Sequence, residues 1–112
     1  MARLAGPSKA RFEQLFREGL SEAGGGLRVR CLPGRGLVGL AVSRSLGSQP
    51  RRNRARRRLR EALRLTGALR TDADYVFVIG DGFASLPFDE LRRTAEELLR
   101  RLNARCADSP SS

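Results

Sequence analysis

Residues 51–60 read Arg-Arg-Asn-Arg-Ala-Arg-Arg-Arg-Leu-Arg, so seven of these ten positions are arginine. The apolar residues in and after this run recur at the spacing of one helix face; they are Ala55, Leu59, Ala62 and Leu63. The stretch therefore predicts an amphipathic helix that ends near Leu65, before Gly67. A rigid helix with one apolar face and one arginine face matches the regular charge of a nucleic-acid backbone.

The residues before this helix predict one further helix and two strands. Ser8 is the predicted N-cap of a first helix, which ends at Gly19. Residues 24–26 are three glycines and predict a flexible loop. Alternating apolar and basic residues predict a strand over 27–32, and a nearly continuous apolar run predicts a central strand over 37–44.

The residues after the arginine helix predict a strand and a last helix. Residues 75–79 are rich in β-branched and aromatic side chains, as strands are. Residues 80–82, Gly-Asp-Gly, predict a turn, and Pro87 opens the final helix. The composition of residues 104–112 predicts a disordered tail. Residues 1–103 are thus expected to form a single α+β domain.

The net charge restricts the class of partner. Among 112 residues there are 22 Lys plus Arg and 12 Asp plus Glu, which gives a net charge of +10. A small domain this basic is expected to bind nucleic acid or an anionic membrane. No apolar run is long enough to span a bilayer, and the first residues lack the apolar core of a signal peptide. We therefore expect a cytoplasmic protein with no membrane partner.

The residue types argue against catalysis by the chain alone. It has no histidine, which is the usual general base of protein nucleases. Its two cysteines, Cys31 and Cys106, are too few for a zinc site, and we expect reduced thiols. Four aspartates in turns and at a helix start are interpreted as local caps rather than metal ligands; they are Asp72, Asp74, Asp81 and Asp89.

The order of these elements and three motifs resemble the bacterial ribonuclease P protein subunit. The segment Gly39–Arg44 leads through Gly47 into Arg52-Asn53-Arg54, which is followed by further basic residues as in that family. Phe12, Phe16 and Gly19 match the family's Phe-x-x-x-Phe-x-x-Gly, and Asp74-Tyr75-Val76 resembles its later strand entry. The resemblance covers roughly residues 4–103.

The resemblance implies a fold and a function. The fold is an αβββαβα two-layer sandwich with about four strands, like that of ribosomal protein S5 domain 2. Its β-α-β crossover is left-handed, whereas the general rule predicts a right-handed one. The function is that of a ribonuclease P subunit, in a holoenzyme endonuclease that removes the 5′ leader of precursor tRNA. The RNA subunit catalyses this hydrolysis with Mg²⁺ bound mainly by the RNA, and the protein alone is inactive.

The resemblance also assigns roles to particular residues. The partners are the catalytic RNA and the 5′ leader, with no DNA, and the chain holds no catalytic residue and no metal ligand. The RNA-binding residues are Arg52, Asn53, Arg54, Arg56, Arg57, Arg60 and Arg64. The leader-binding residues are Phe12, Phe16, Arg28, Arg30 and Arg44. The family often has an aromatic residue where Arg30 lies, which predicts a more electrostatic leader contact.

Several alternatives remain open at the level of sequence. The arginines are a solvated basic face in the simplest alternative, and Asn53 then caps the helix. Phe12 and Phe16, four residues apart, pack in the core or line a leader cleft. Arg28 and Arg30 are surface charge or leader contacts. A structural RNA-binding protein of ribosomal type is the alternative function, and a protein-only nuclease would require clustered carboxylates or a histidine.

Overall fold

The structure, a computed structural model, describes residues 5–108, with side chains to residue 105. The predicted α+β architecture and the αβββαβα order are confirmed, with one additional single-turn helix. The helices are α1 (Lys9–Glu18), α2 (Gln49–Leu65), α3 (Asp81–Ala84) and α4 (Phe88–Asp108). The strands are β1 (Leu20–Gly24), β2 (Leu27–Pro33), β3 (Val38–Val42) and β4 (Ala73–Ile79), and a 3-10 turn spans Arg44–Leu46.

The four strands form one mixed sheet in the order β1-β2-β4-β3. β1 and β2 are antiparallel, as are β2 and β4, whereas β3 and β4 run parallel. Parallel neighbours require a crossover connection, and α2 supplies it. The predicted β-α-β unit is therefore present, and the left-handed sense of its crossover stays a prediction.

One face of the sheet carries the main core, which lies against α2 and α4. Alternate residues of a strand point to the same face, and those of β2 and β4 on this face are buried: Leu27, Val29, Cys31, Tyr75, Phe77 and Ile79. The predicted apolar stripe of α2 is confirmed, because all four of its residues are buried. α4 contributes Leu91, Ala95, Leu98, Leu99 and Leu102, as its pattern predicted.

The opposite face of the sheet packs against α1. Leu15 of α1 and Val76 of β4 are both fully buried, although neither belongs to the main core. Gly39 of β3 pairs with Val76, so it shares this face. A Cβ on Gly39 would lie 2.6 Å from Cε2 of Phe12, which is closer than carbon atoms can approach. The missing side chain at Gly39 therefore allows α1 to approach the sheet.

The prediction of a flexible loop over residues 24–26 was wrong. Gly24 ends β1 and pairs with Leu27 of β2. Gly25 and Gly26 form the two-residue turn between them, with φ of 59° and 84°. Positive φ at both central residues is the signature of a tight hairpin turn, because its twist matches that of the strands.

Two further predictions need correction. The strand predicted over 37–44 covers Val38–Val42, because Ser43 leaves the strand and its Oγ accepts a hydrogen bond from the Ser45 amide. Residues 80–82 were predicted to be a turn, but α3 begins at Asp81.

The last helix is longer than predicted. α4 continues to Asp108, so residues 104–108 are helical rather than part of a disordered tail. Arg105 gives a physical reason, since its Nη1 donates to the carbonyl of Ser21 and to Oε2 of Glu22 on β1. Residues 109–112 and the side chain of Cys106 lie outside the described residues.

Candidate nucleic-acid interface

The arginine helix begins before the Arg-Asn-Arg motif, and this start determines whether Asn53 can cap the helix. α2 starts at Gln49 with Ser48 at the N-cap position, and Pro50 is tolerated because the first amides of a helix need no intrahelical acceptor. Asn53 is therefore inside the helix. Its Oδ1 accepts a hydrogen bond of 2.9 Å from Nη1 of Arg56. The interpretation of Asn53 as a helix cap is wrong, and its side chain orients an arginine instead.

α2 carries arginines on both sides of its apolar stripe. Arg52, Arg56 and Arg60 follow each other at four-residue intervals along one side, which we call the groove flank. Arg60 is exposed and lines an open groove of about 270 Å³ together with Phe12 of α1 and Gly39 of β3. The groove flank thus faces the side of the sheet on which α1 lies.

The other side of α2 contains Arg51, Arg54 and Arg58. We call it the cavity flank, because these arginines line a cavity beside α3. Nη1 and Nη2 of Arg58 donate to the carbonyls of Ala84 and Leu86, at 2.8 and 2.6 Å. Arg58 therefore anchors α2 to the end of α3 and the residues just after it. The sequence predicts no role for Arg58, because these acceptors are 26 and 28 residues away in the chain.

The remaining predicted RNA-binding arginines of α2 are distributed over its exposed surface. Arg54 lines the cavity flank, so the Arg-Asn-Arg motif does not lie on one face. Arg57 is exposed. Arg64 is also exposed, and its Nη1 lies 3.8 Å from Oε2 of Glu61, a distance typical of a weak solvated ion pair.

The two aromatic residues of α1 lie outside the core. Leu15 takes the fully buried position on this helix, while Phe16 is 37% exposed and Phe12 is half-buried. Their ring centroids are 5.3 Å apart, and the guanidinium carbon of Arg30 lies 5.9 Å from the Phe16 ring centroid. We call the surface formed by Phe12, Phe16, Arg30 and Arg60 the aromatic groove. Aromatic and arginine side chains in one groove can stack on the bases of a single strand.

Two guanidinium groups near these elements have donors without a protein acceptor. The Nε atoms of Arg30 and Arg52 are buried, and neither has a hydrogen-bond partner among residues 5–108. A buried donor without an acceptor is unfavourable unless a ligand or water satisfies it. The described residues therefore leave one donor on each of these two guanidinium groups unsatisfied.

The two other predicted leader-binding arginines are exposed. Arg28 lies on the same face of β2 as Arg30, and its Nη1 donates to Oγ of Ser21 at 3.1 Å. Arg44 lies in the 3-10 turn that follows β3. The structure therefore brings Arg28 to the face of the sheet that carries α1 and places Arg44 at the end of the central strand.

A buried carboxylate fixes α1 beside the groove. Asp74 is 3% exposed, and its Oδ1 accepts hydrogen bonds from the amides of Arg35 and Leu37, each at 2.9 Å. Its Oδ2 accepts one from Nε of Arg11 on α1 at 2.9 Å. Burial raises the pKa of Asp74, but the two amides and the Arg11 guanidinium outweigh it and lower the pKa below its ordinary value.

The prediction that Asp74 is a local cap was wrong, because its partners are 37, 39 and 63 residues away. Asp81 and Asp89 lie in the first turns of α3 and α4, as caps often do. Within residues 5–108, no three histidine, cysteine or acidic side chains are grouped so that they could hold a metal ion. None of the helices described is long and apolar enough to cross a membrane.

Comparison with known proteins identifies the family. The family model described as Ribonuclease P matches residues 3–103. The "Ribonuclease P protein component" of Symbiobacterium thermophilum is 40% identical over 101 residues, which cover 84% of this chain and 86% of that protein. The protein of the same name from Shouchella clausii is 34% identical over 95 residues, covering 80% and 78% of the two chains.

Solved structures agree with this sequence comparison. The ribonuclease P protein from Thermotoga maritima superimposes with a TM-score of 0.75 at 25% identity, over 88% of this chain and 97% of that one. The Staphylococcus aureus ribonuclease P protein has the same fold, with a TM-score of 0.74 at 18% identity over 89% and 95% of the chains. The chain therefore belongs to the ribonuclease P protein family.

Proposed function

We propose that this chain holds the 5′ leader of precursor tRNA in the aromatic groove while α2 binds the catalytic RNA of ribonuclease P. Membership of the family makes the chain a subunit of ribonuclease P in tRNA processing, with the ribonuclease P RNA as its partner. The ribosomal-type structural RNA binder is not favoured, because the family match covers nearly the whole chain.

The observation that carries the proposal is the exposed ring of Phe16 beside the Arg30 guanidinium, with Phe12 and Arg60 in the same groove. A leader is single-stranded, so its bases are available for stacking, and its phosphates pair with arginine. The mature tRNA lacks this segment. The groove can therefore distinguish precursor from product without touching the tRNA body.

The side chains of this chain are suited to binding rather than to bond cleavage. With no histidine, the chain lacks the usual general base, and its carboxylates form no metal-binding group among the described residues. We therefore assign the Mg²⁺ to the RNA subunit and the hydrolysis to that RNA. The arginines of α2 and of the groove neutralise phosphates where the two RNAs meet. We also place the chain in the cytoplasm, where tRNA precursors are made.

Reconstitution tests this function. The purified chain, freed of RNA by ribonuclease treatment, is mixed with precursor tRNA and Mg²⁺, with and without ribonuclease P RNA. We expect 5′ leader removal only when the RNA subunit is present, and at lower Mg²⁺ than the RNA alone requires. Cleavage by the RNA-free protein, or no effect of the protein on the RNA-catalysed reaction, would contradict the proposal.

A further inference from the structure

A cavity of about 430 Å³ lies between the cavity flank of α2 and the segment around α3. Its volume is within the range of sites that bind a small organic group. Arg51, Arg54 and Arg58 line one side, and Asp81 lines the other. Leu46 and Leu86 add apolar surface. The cavity is separate from the aromatic groove, because it lies along the opposite flank of α2.

The position of the cavity in the fold is typical of a binding site. β3 and β4 are parallel neighbours, and both end at this edge of the sheet. The chain leaves β3 into the 3-10 turn and α2, and it leaves β4 directly into α3. In open sheets with parallel strands, ligands bind in the crevice outside the carboxyl ends of those strands.

The polar groups around the cavity are held apart rather than paired. Oδ1 of Asp81 accepts a hydrogen bond of 3.0 Å from Oγ of Ser45, yet within residues 5–108 Asp81 forms no ion pair with any arginine that lines the same cavity. Arg58 is fixed by its two carbonyl acceptors. Arg51 and Arg54 have no side-chain hydrogen bond to the described residues, so their guanidinium groups are available to a ligand.

This arrangement requires a ligand with three properties. It must be partly apolar to contact Leu46 and Leu86, and planar to stack on the guanidinium of Arg58, which is already fixed by the carbonyl of Leu86. It must present donors to the carboxylate of Asp81. It must carry negative charge for Arg51 and Arg54. A nucleotide has all three, and guanine has two adjacent donors, N1–H and N2–H, that fit one carboxylate.

We propose that the cavity binds one unstacked guanine nucleotide of the ribonuclease P RNA. This inference rests on the proposed function, since it takes the RNA partner as the source of the nucleotide. Asp81 accepts from the Watson–Crick edge of guanine, while Arg51 and Arg54 pair with the phosphate. Each of the other bases has only one donor on its Watson–Crick edge, and the acceptor beside that donor repels the second carboxylate oxygen, so the site is selective for guanine.

Nucleotide titration of the isolated chain tests the site directly. NMR spectra of the backbone amides are recorded during separate titrations with guanosine 5′-monophosphate, uridine 5′-monophosphate and inorganic phosphate. We expect the guanine nucleotide to shift the amides of residues 80–87 and to bind about tenfold more tightly than the uridine nucleotide, the discrimination of one bidentate base contact. Asp81→Asn should remove this preference, whereas Asp89→Asn, on α4 outside the cavity, should keep it.

If Asp81→Asn does not fold, Arg51→Ala provides a second test. Arg51 is exposed, so its truncation should leave the protein folded. It should weaken both nucleotides equally. Equal shifts with phosphate alone, shifts confined to the aromatic groove, or an unchanged preference in Asp81→Asn would overturn the proposal. Leader removal in the reconstituted enzyme is measured in parallel. Cleavage without nucleotide binding contradicts only the cavity site, and nucleotide binding without cleavage contradicts only the proposed function.

Discussion

At the scale of single residues, Asp74 joins three separate segments of the chain. It connects β4, where it lies, to the amides of Arg35 and Leu37 in the segment before β3 and to Arg11 of α1. Gly34 leaves the space that the carboxylate occupies, since a Cβ there would overlap the Asp74 side chain. The ionised carboxylate of Asp74 therefore helps to hold α1 beside the aromatic groove.

Acid should weaken this connection. The pKa of Asp74 is lowered below 3.8, so its stabilising contribution is present above that pH and is lost as the pH falls through 3.8 toward the folded value. Asp74→Asn should reduce the free energy of unfolding at neutral pH by about 2–3 kcal/mol. It should also flatten the acid decline in thermal melting as the pH falls below about 4.

Asp72→Asn is the matched control for this experiment. The hydrogen bond from Arg70 lowers the pKa of Asp72 as well, but this ion pair lies in solvent and is screened. The melting profile of Asp72→Asn should therefore remain close to that of the wild type. An acid decline in Asp74→Asn as steep as in the wild type would show that another group controls the acid stability.

Gly39 is a second position where one residue controls the groove. Gly39→Ala places a Cβ against the Phe12 ring, and we expect a loss of about 1–3 kcal/mol in unfolding free energy from overpacking. The displaced ring should also weaken leader binding. Gly67→Ala is the control, because a Cβ there meets no atom within 4 Å. Equal melting temperatures for the two variants would contradict the close approach of α1 to β3.

At the scale of elements, the arginines of α2 differ in whether they are hydrogen-bonded to another element. Arg56 and Arg60 contact no other element through hydrogen bonds among the described residues, whereas Arg58 donates to one carbonyl at the end of α3 and one just after it. Neighbouring arginines in one run therefore have different surroundings. Charge alone does not distinguish them, because the distinction arises from what lies opposite each flank.

Alanine substitutions on the groove flank should weaken RNA binding without unfolding the protein. For Arg56→Ala we expect lower affinity for ribonuclease P RNA, and for Arg60→Ala, which lines the aromatic groove, lower affinity for precursor tRNA as well. In both variants the log–log slope of the salt dependence should fall by about one unit for each lost phosphate contact. Binding isotherms at several salt concentrations measure both quantities. Unchanged slopes together with lower melting temperatures would make these arginines structural.

Arg58→Ala is the matched comparison on the same helix. It removes two hydrogen bonds from a charged donor, each part-buried, so we expect a loss of about 2–3 kcal/mol in unfolding free energy. Chemical denaturation measures this loss. A stable Arg58→Ala variant would show that the anchor between α2 and the segment after α3 is dispensable.

At the scale of the whole molecule, the regular spacing of apolar residues predicted the elements that bury one apolar face. α2 and α4 were predicted because their apolar residues recur at helical spacing and are buried as expected. β1 was missed, since Leu20–Gly24 contains no β-branched or aromatic residue and is a strand through its pairing with β2. Gly25 and Gly26, whose φ angles are positive in the structure, were the signal from which the hairpin could have been predicted.

The candidate site was only partly predictable from the sequence, because it also depends on packing between elements that are distant in the chain. The arginines of α2 are visible in the sequence, but their division between two flanks depends on how α1 and α3 pack. Phe12, Leu15 and Phe16 form one apolar stripe, and only the sheet determines that Leu15 is the buried member. Asp74 resembles any turn aspartate until its distant partners are known.

Leader binding in the aromatic groove is tested most directly by the ratio of the dissociation constants for precursor and mature tRNA in the reconstituted holoenzyme. Stacking on one aromatic side chain contributes about 1–3 kcal/mol per base, so Phe16→Ala should reduce the preference for precursor by about tenfold while the melting temperature stays unchanged. Leu65→Ala, an exposed apolar control at the far end of α2, should leave the ratio unaltered. An unchanged ratio in a folded Phe16→Ala enzyme would contradict leader binding in the aromatic groove.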